Sequence, residues 1–419
     1  MKSKSMLSIL SVVLVITLLL VVLQVATRVA VFAVPTTWWV ATTPTVGLTP
    51  PGTSCAEPGY NTISSAVSVA VAGDTINVCT GTYTEQVTIP VTLTLTGVPY
   101  PHHTSPAPII QPCPTPYNPS TCTMTADASF PTLFNIVTIT GSGTVVSFSG
   151  FTVTGPVHLP AYNSGDLSAG IMVQAGASAT ITGNTIDHIH DQPVIPVAAY
   201  GVGILVGRGP LSTTGTATIS GNTIYDYQKN GITVDGTGST AMITRNTITG
   251  WSAAYQTILG VQIAGNGIQI LRGAVATVDS NTVSSNQCPG SLTNADCGPN
   301  LLSATQSQAT GIVLSNAGAG TVVTKNAFSG NDLGILELGF AATISHNTLT
   351  NNRYEGIVLQ DGTLTADHNT VVGPGNVGIA ALAYSVNTVV TLSDNTINHV
   401  TASIGAYAGS GLTATILST

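Results

Sequence analysis

Two histidines stand between two aspartates in the run Asp187-His188-Ile189-His190-Asp191. On an extended segment alternate side chains point the same way, so the two imidazoles can converge on one point. Imidazole is a common metal ligand, but two histidines alone make a poor ligand set, and we expect no metal or other cofactor. Acid–base chemistry or contact with a substrate is the other role that these side chains can take. Histidines of an ordinary surface loop are the alternative without function.

A second group of polar and aromatic residues follows. It comprises the run 225–229, Tyr-Asp-Tyr-Gln-Lys, and then Trp251 and Tyr255. Aromatic faces beside short polar groups suit sugar rings, which present apolar C–H patches and directional hydroxyls. In a chain with 5% aromatic and 6% charged residues, this concentration predicts a ligand site. Packing of the rings against the surface of the fold is the alternative.

Arg208, Asp235 and Arg272 recur at similar places in three successive repeats. If these positions stack in register, they form a column of alternating charge. The column is either a surface ion-pair ladder or a site in which Asp235 is an acid or base and the arginines bind an anionic group. The predicted catalytic candidates are His188, His190, Asp191, Asp226, Lys229 and Asp235. The predicted substrate contacts are Tyr225, Tyr227, Trp251, Tyr255, Arg208 and Arg272.

A repeated phrase predicts the elements that position these residues. Gly-Ile pairs begin at 231, 267, 311, 334 and 356, and an Asn-Thr-Ile phrase or a variant of it follows each 13 to 15 residues later. The apolar clusters between them are short and rich in β-branched residues, which predicts three short strands per coil of a parallel β-solenoid. Asparagine at a fixed turn position can stack into a hydrogen-bonded ladder. The predicted ladder is Asn184, Asn222, Asn246, Asn281, Asn326, Asn347, Asn369 and Asn395.

The repeat and the region before it resemble the right-handed parallel β-helix superfamily, in the broad group of pectate-lyase-like and NosD-like repeat proteins. The region before the repeat reads Tyr60-Asn61-Thr62-Ile63, then Gly73-Asp74-Thr75-Ile76, then Gly81-Thr82-Tyr83-Thr84-Glu85. The resemblance implies an all-β, three-strand-per-coil solenoid with an N-terminal capping helix at about residues 62–71. It implies little about activity, because this fold carries lyases, hydrolases, esterases, epimerases and adhesins.

Two activities of the superfamily lack their residues in this sequence. The outward positions of the Gly-Ile strands read Leu205, Thr233, Gln269, Val313, Leu336 and Val358, without the clustered carboxylates of a calcium-dependent lyase. The Asn-Thr phrase is followed by an apolar residue, and the chain has no Asp-Asp pair, unlike the polygalacturonases. Neither activity is therefore carried over.

Insertions in the repeat fall on one leg of the coil. The spacing from the ladder asparagine to the next Gly-Ile is 8 or 9 residues in short coils, but 19 from 184, 21 from 246 and 30 from 281. Stacking places these insertions on one edge, as a wall beside the Gly-Ile strands, and in a solenoid such a wall marks the binding face. The wall contains most of the candidate residues.

Glu337 follows a Gly-Ile pair where other coils place Leu or Val. A buried carboxyl group with a raised pKa is one interpretation. We expect instead a slip of one residue that moves Glu337 into the turn.

The N-terminal segment and the cysteines predict export. Residues 1–33 read as a signal peptide or signal-anchor helix, residues 34–54 as a Pro/Thr-rich linker, and residues 55–419 as the β-helix domain. The cysteines fall in close pairs and predict disulfides in an oxidising compartment. The pairs are Cys55 and Cys79, Cys113 and Cys122, and Cys288 and Cys297.

Charge and the wall together suggest the partner. Nine basic residues less the three in residues 1–33 leave six, against 17 acidic residues, a net charge of −11 for the exported body. This disfavours nucleic acid. We expect an extracellular or cell-surface protein that binds a polysaccharide or surface glycan on the loop-bearing face, with membrane contact only through its N-terminal segment. A lyase or glycoside hydrolase of a neutral or weakly anionic polysaccharide is the alternative.

Overall fold

The computed structural model describes residues 34–42, 47–98, 106–113, 133–156, 166–192, 194, 200–289, 309–339, 342–373 and 375–418. Over these residues the chain winds through three parallel sheets, with one strand of each sheet per coil. The signal-peptide or signal-anchor segment, residues 1–33, lies outside them. Within the described residues no helix is both long and apolar enough to cross a bilayer.

Each coil passes through the sheets in a fixed order. The strands with the Gly-Ile pairs form sheet 2, the next strands form sheet 1, and the Asn-Thr-Ile strands form sheet 3. Sheet 1 consists of Thr37–Val40, Asp74–Cys79, Leu93–Val98, Val145–Ser149, Ala177–Thr182, Gly215–Ser220, Thr240–Thr244, Val275–Asp279, Val322–Thr324, Thr343–Ser345, Thr363–Asp367, Thr388–Ser393 and Ala414–Ser418. Sheet 2 consists of Val87–Ile89, Leu133–Thr140, Asp166–Gln174, Val202–Val206, Asn230–Asp235, Asn266–Leu271, Thr310–Ser315, Leu333–Leu338, Glu355–Gln360, Val377–Ala383 and Ala402–Ala408. Sheet 3 consists of Thr82–Thr84, Ile109–Gln111, Thr152–Thr154, Thr185–Asp187, Thr223–Tyr225, Thr247–Thr249, Thr282–Ser284, Ala327–Ser329, Thr348–Thr350, Thr370–Val372 and Thr396–Asn398.

The core consists of columns of stacked apolar side chains, and the column from the Gly-Ile pairs is isoleucine throughout. The isoleucine of each Gly-Ile pair is in register with the next, as in Ile232, Ile268 and Ile312, and all three are fully buried. Strand pairing spaces such residues about 4.8 Å apart. The glycine before them is required by packing, because a Cβ on Gly267 would lie 2.2 Å from Val283 Cγ1. The Gly-Ile phrase is thus a packing motif.

The predicted asparagine ladder is confirmed along its whole length. In each step the side-chain oxygen accepts two hydrogen bonds from the preceding asparagine, one from its backbone N–H and one from its amide, at 2.9–3.0 Å. The ladder occupies a two-residue turn between sheets 1 and 3, which we call the Asn turn. The residue before each asparagine has a positive φ, as in Arg245 at 54°. Seven buried amides are satisfied in this way, from Asn184 to Asn369, so the turn tolerates little change in length.

A second, shorter asparagine ladder was not predicted. The Asn286 amide donates to the Asn331 side-chain oxygen at 2.9 Å, and Asn331 donates to Asn352 at 3.2 Å. Tyr227 extends this ladder by donating its hydroxyl hydrogen to Asn286 Oδ1 at 2.7 Å. The ladder lies in the turn between sheets 3 and 2, which we call the variable turn. It holds the start of that turn in place beneath the insertions.

The expected capping helix is helix α1, Ile63–Val69, and Thr62 caps it. Its buried residues Ile63, Ala66 and Val67 cover the first coil. The carboxylate of Glu85 accepts hydrogen bonds from the backbone N–H groups of Ile63 and Ser64 at 2.8 and 2.9 Å. A carboxylate at a helix N-terminus satisfies free N–H groups and complements the helix dipole. This contact explains the glutamate of the Gly-x-Tyr-x-Glu phrase.

The predicted Cys55–Cys79 disulfide is present and ties the cap to sheet 1. Cys113 and Cys288 are also disulfide-bonded, and the described residues contain no free cysteine. Their expected partners, Cys122 and Cys297, lie outside the described residues. A covalent tie beside the cap resists opening of the first coil.

The expected slip at Glu337 is wrong. Glu337 is in register with Leu314 and Leu359, points into the core and is 1% exposed. Its Oε1 accepts a hydrogen bond from Ala342 N at 2.7 Å, whereas the buried Oε2 has no hydrogen-bond partner. Burial raises the pKa of this carboxyl group to about 8. Glu337 therefore occupies the inward position that an unbroken repeat spacing predicts. The strand keeps its register around the buried acid.

All three insertions lie in the variable turn, between a strand of sheet 3 and the next strand of sheet 2. They span residues 188–201, 250–265 and 285–309. The second contains helix α2, Ala253–Leu259, which Ser252 caps and Gly260 ends at a φ of 69°. The described parts of the insertions therefore lie along one edge of sheet 2, and residues 193, 195–199 and 290–308 of the predicted wall lie outside the described residues.

Candidate functional site

A groove of about 370 Å³ lies on the outer face of sheet 2. Its floor contains Leu205, Thr233 and Gln269, three residues that are in register on successive strands. These are outward positions named from the sequence, and the alternation of side chains along a strand explains their direction. Tyr200 and Lys229 line the groove from the variable turn, where the strands begin. The groove therefore borders the insertion wall.

Hydrogen-bonding side chains cover the middle of the floor. The Asn230 amide donates to Thr233 Oγ1 at 2.9 Å and to Gln269 Oε1 at 2.6 Å, while its own oxygen accepts from the Asn266 amide at 3.0 Å. This network fixes the orientation of the amides, which leaves donors and acceptors at set positions. The sequence motifs did not single out Asn230 or Asn266. Their signal is the asparagine that precedes two of the Gly-Ile pairs, where Leu333 stands in a later coil.

An ion pair closes the far end of the groove. The Arg272 guanidinium donates to both carboxylate oxygens of Asp235, at 2.7 and 2.6 Å. The Asp235 side chain is 4% exposed and that of Arg272 is 51% exposed. The predicted column of alternating charge does not form in register. Asp235 is in register with Leu271, and Arg272 lies one residue further along the chain. The arginine instead reaches back to the aspartate in a bidentate geometry.

Arg208 enters the groove from the coil on the other side of Asp235. It is 7% exposed and donates a hydrogen bond to the Ser168 hydroxyl. A Cβ on Gly209 would lie 2.7 Å from both Arg272 Nε and Asp235 Oδ1, so this glycine gives the pair its space. The three charged residues of the predicted column therefore all line one cavity.

Lys229 holds the opposite end of the groove. Its ammonium group donates to the carbonyl oxygen of Ala264, in the second insertion, at 2.6 Å. The lysine thereby joins the start of the strand Asn230–Asp235 to the wall. Three of the six basic residues of the exported body line the groove, which are Arg208, Lys229 and Arg272. Among the described lining residues they face a single carboxylate, that of Asp235.

A second cluster forms around Asp226 in the variable turn. Asp226 Oδ2 lies 3.3 Å from His188 Nε2 and 3.8 Å from His190 Nε2. Asp226 Oδ1 accepts a hydrogen bond from the Trp251 indole N–H at 2.6 Å. Asp187 Oδ1 lies 3.3 Å from His188 Nδ1, so His188 sits between two carboxylates. Four residues of the first insertion and the following turn thus meet one residue of the second insertion.

The backbone brings these side chains together. His188 and Asp226 each follow a strand of sheet 3 with a positive φ, 51° and 53°, and therefore occupy equivalent turn positions on successive coils. Beyond them the two turns run parallel, with a bridge between Ile189 and Tyr227. Equivalent turn positions stack, so the cluster follows from the solenoid geometry.

Two tyrosines flank this cluster with exposed rings. The Tyr225 hydroxyl donates to Asp187 Oδ2 at 2.6 Å, and this hydrogen bond, with burial, raises the pKa of Tyr225 to about 12. Tyr255 packs edge-on against Trp251 at 5.7 Å, and its pKa is raised by burial and by the charge of Asp226. Tyr225 is 37% exposed and Tyr255 is 39% exposed. Both rings can therefore meet a ligand at the surface.

Two predicted site residues have structural positions instead. Tyr227 is 2% exposed and its hydroxyl is used in the second asparagine ladder, so the expected substrate contact is wrong for this residue. Burial strongly raises the pKa of its hydroxyl. Asp191 is 6% exposed, and its carboxylate accepts a hydrogen bond from the backbone of Leu167 at 2.8 Å. It holds a neighbouring coil in place and is poorly placed for catalysis.

Comparisons with known proteins agree with this fold. Residues 211–397 match the family described as right handed beta helix region. A comparison with curated proteins found no match. The predicted right-handed parallel β-helix architecture is confirmed for this matched part, and the three parallel sheets continue on either side of it in the described residues.

Several solved structures match this chain at low identity. The Dettilon tailspike protein is 17% identical with a TM-score of 0.48, and the match covers 88% of this chain and 68% of that one. The GH136 lacto-N-biosidase from Eubacterium ramulus is 12% identical with a TM-score of 0.46, covering 91% of this chain and 68% of that one. Pectate lyase Pel9A is 12% identical with a TM-score of 0.43, covering 91% and 78%.

Proposed function

We propose that this protein binds a glycan with acidic groups in the groove on the outer face of sheet 2. The observation that carries the proposal is the concentration of Arg208, Lys229 and Arg272 around one cavity, in an exported body whose net charge is −11. The net charge repels a polyanion at long range, so binding depends on these local cations. Guanidinium and ammonium groups bind carboxylates and sulfates with charge-assisted hydrogen bonds.

The groove also suits the neutral parts of a sugar. Tyr200, Val202 and Leu205 supply apolar surface, while Thr233 and Gln269 supply hydroxyl and amide groups. Sugar rings present both kinds of surface to a protein. The length of a six-residue strand, about 20 Å, gives room for several sugar units along or across the groove.

Binding without catalysis is favoured by the state of Asp235. Glycoside hydrolysis commonly uses two carboxyl groups about 5 to 10 Å apart. Asp235 is the one carboxylate among the described lining residues, and both of its oxygens accept hydrogen bonds from Arg272. Neither oxygen of this carboxylate is therefore left free of the ion pair.

The binding proposal is tested with immobilised acidic and neutral polysaccharides. Lys229→Gln removes one groove cation, and Gln269→Ala removes one amide from the floor. Arg245→Gln is the matched control, since Arg245 is an exposed cation in the Asn turn, away from the lining residues. We expect each groove variant to weaken binding of the best acidic glycan about tenfold, and the control to leave it unchanged. Equal effects of Lys229→Gln and Arg245→Gln would refute the groove.

The cluster around Asp226 favours a second candidate, a polysaccharide lyase or glycoside hydrolase. The two ring nitrogens of His188 each lie 3.3 Å from a carboxylate, and His190 lies 3.8 Å from Asp226, beside exposed tyrosines. Paired carboxyl and imidazole groups of this kind are the usual participants in general acid–base catalysis. The same polysaccharides, assayed for new reducing ends and for unsaturated sugar products, test this candidate. Activity that Asp226→Asn abolishes while glycan binding persists would establish it, and no release from any bound polysaccharide would rule it out.

An extracellular or cell-surface location fits both the binding function and the enzymatic one. The Cys55–Cys79 disulfide is stable in an oxidising compartment, and the apolar segment of residues 1–33 has a composition typical of an export signal. We therefore propose an extracellular or cell-surface location. Release of the mature chain into the medium, or its retention at the cell surface, would distinguish a cleaved signal from an anchor.

A further inference from the structure

A histidine with two carboxylates lies on the Asn turn near the end of the described chain, away from the groove. Asp367 ends a strand of sheet 1, His368 follows it in the turn, and Asp394 is the equivalent turn residue of the next coil. One potential ligand atom from each of the three lies within 4.8 Å of the others. The side chains of His368 and Asp394 are 50% and 68% exposed, so the group is open to solvent.

Neighbouring side chains fix the ring of His368. Its Nδ1 lies 2.8 Å from Asp367 Oδ1, which also accepts a hydrogen bond from Ser393 Oγ at 2.5 Å. The ring of His346, one coil earlier, stacks on the ring of His368 with centroids 4.9 Å apart and planes 4° apart. When the Nδ1–H of His368 donates a hydrogen bond to the Asp367 carboxylate, the free lone pair of the imidazole is on Nε2. That nitrogen lies on the side of Asp394.

The free edge of the ring meets the second carboxylate at a ligand-like distance. His368 Nε2 and Asp394 Oδ2 are 3.7 Å apart. Two ligands bound to one zinc ion at about 2.0–2.2 Å in a tetrahedron stand about 3.4 Å apart. A carboxylate on the outer nitrogen of the ring is the usual support of a metal-bound histidine. Asp367 has that position, and its hydrogen bonds from Ser393 and His368 lower its pKa and keep it charged.

We propose that His368 Nε2 and Asp394 Oδ2 bind a divalent transition-metal ion such as Zn²⁺, with Asp367 positioning the imidazole and water completing the coordination. Imidazole with carboxylate ligands selects zinc, copper or nickel over calcium, which prefers oxygen ligands alone. The ion would tie two successive coils together. This site is independent of the glycan groove and of the cluster around Asp226.

The test is a calorimetric titration of the 419-residue chain, stripped of metal with a chelator, with ZnCl₂. His368→Ala and Asp394→Asn each remove one proposed ligand. His399→Ala is the matched control, because His399 is also exposed and also has a positive φ in a turn, but belongs to the variable turn. Zinc binding at other histidines is common to the parent protein and its variants, so it cancels when their titrations are compared.

We expect His368→Ala and Asp394→Asn each to lose one bound Zn²⁺ per chain relative to the parent and to His399→Ala. Asp367→Asn should retain the site with at least about tenfold weaker affinity, since it removes support and no ligand. Calcium chloride should not compete. Circular dichroism verifies the fold of each variant, which the exposure of these side chains should preserve. Identical stoichiometry and affinity for the parent, His368→Ala and Asp394→Asn would overturn the proposal.

Discussion

Glu337 occupies a core position that leucine occupies in the coils on both sides. Its pKa is raised from 4.5 to about 8 because burial disfavours the charged form. A group whose pKa is higher in the folded state favours folding while it is protonated. Its destabilising effect is therefore absent below about pH 4.5, where both states are protonated, and grows as the pH rises toward 8.

We predict that Glu337→Leu raises the free energy of unfolding at pH 7 by about 2–4 kcal/mol, because it removes a buried acid and restores the leucine stack. The gain over the parent protein should be larger at pH 7.5 than at pH 5. Thermal unfolding followed by circular dichroism at both values checks this. Glu337→Gln is the control, since it keeps the shape and removes the titration. A gain that is equal at both pH values would contradict the buried titrating acid.

The candidate residues were predicted unevenly at this scale. His188, Asp226 and Trp251 are brought together because residues at equivalent positions in the turns of successive coils stack. The repeat spacing already implied this stacking. The prediction for Tyr227 was wrong, because the sequence does not reveal that its side chain points inward and that its hydroxyl donates a hydrogen bond to Asn286. Composition marks a cluster of polar and aromatic residues, but the direction of each side chain depends on local backbone angles.

The two turns that contain asparagine differ in what they allow. In the Asn turn every amide is used, and the turn has two residues in each repeat from Asn184 onward. In the variable turn the second ladder joins only Asn286, Asn331 and Asn352, and insertions begin beside it. Its members each follow a ladder asparagine by five residues, as 286 follows 281. That constant offset is the signal through which the second ladder could have been found.

We predict that Asn281→Ala costs about 2–4 kcal/mol of unfolding free energy, because it leaves buried partners on both sides without hydrogen bonds. Asn281 contacts Asn246, Ile243 and Asn326 through its side chain. Asn395→Ala should cost less, since Asn395 is only partly buried and ends the ladder. Urea unfolding of both variants measures the difference. Equal costs would mean that the ladder does not act through buried amides.

The described coils of residues 36–418 are stacked one on the next, and their apolar side chains are covered unequally along the stack. Helix α1 buries Ile63, Ala66 and Val67 against the first coil, and Cys55–Cys79 secures the cap. In the last described coil Ile404, Tyr407 and Leu417 are 39–49% exposed. Stability in a solenoid comes from neighbouring coils, so opening begins where a coil has the fewest contacts.

We predict that hydrogen exchange of backbone amides is fastest in residues 402–418 and slowest in the central coils. Glu85→Ala, which removes the carboxylate from the N-terminus of helix α1, should increase exchange in residues 63–98 and leave the other end unchanged. Exchange mass spectrometry of the parent and the variant resolves the two regions. Uniform protection along the chain would contradict opening from the less covered coil.

The architecture was predictable because its signal is redundant: strand stacking, the first ladder and the wall are each repeated many times in the sequence. The groove was not predictable to the same degree. It combines single residues from different coils, such as Ser168, Lys229 and Arg272, and no repeated pattern links them. Their joint position depends on the outward direction of each side chain and on the residues of each insertion, which differ from coil to coil.

The difference between the two turns makes this chain a candidate for displaying foreign peptides. A segment placed after Asn331, in a short variable turn, would follow the second ladder and enter where natural coils already differ by more than 15 residues in length. The same segment placed between Thr244 and Thr247 would interrupt a chain of buried amides and open the stack. Engineering of loops on this scaffold should therefore use one edge only, and several grafts on successive coils would be presented side by side at the strand spacing of about 4.8 Å.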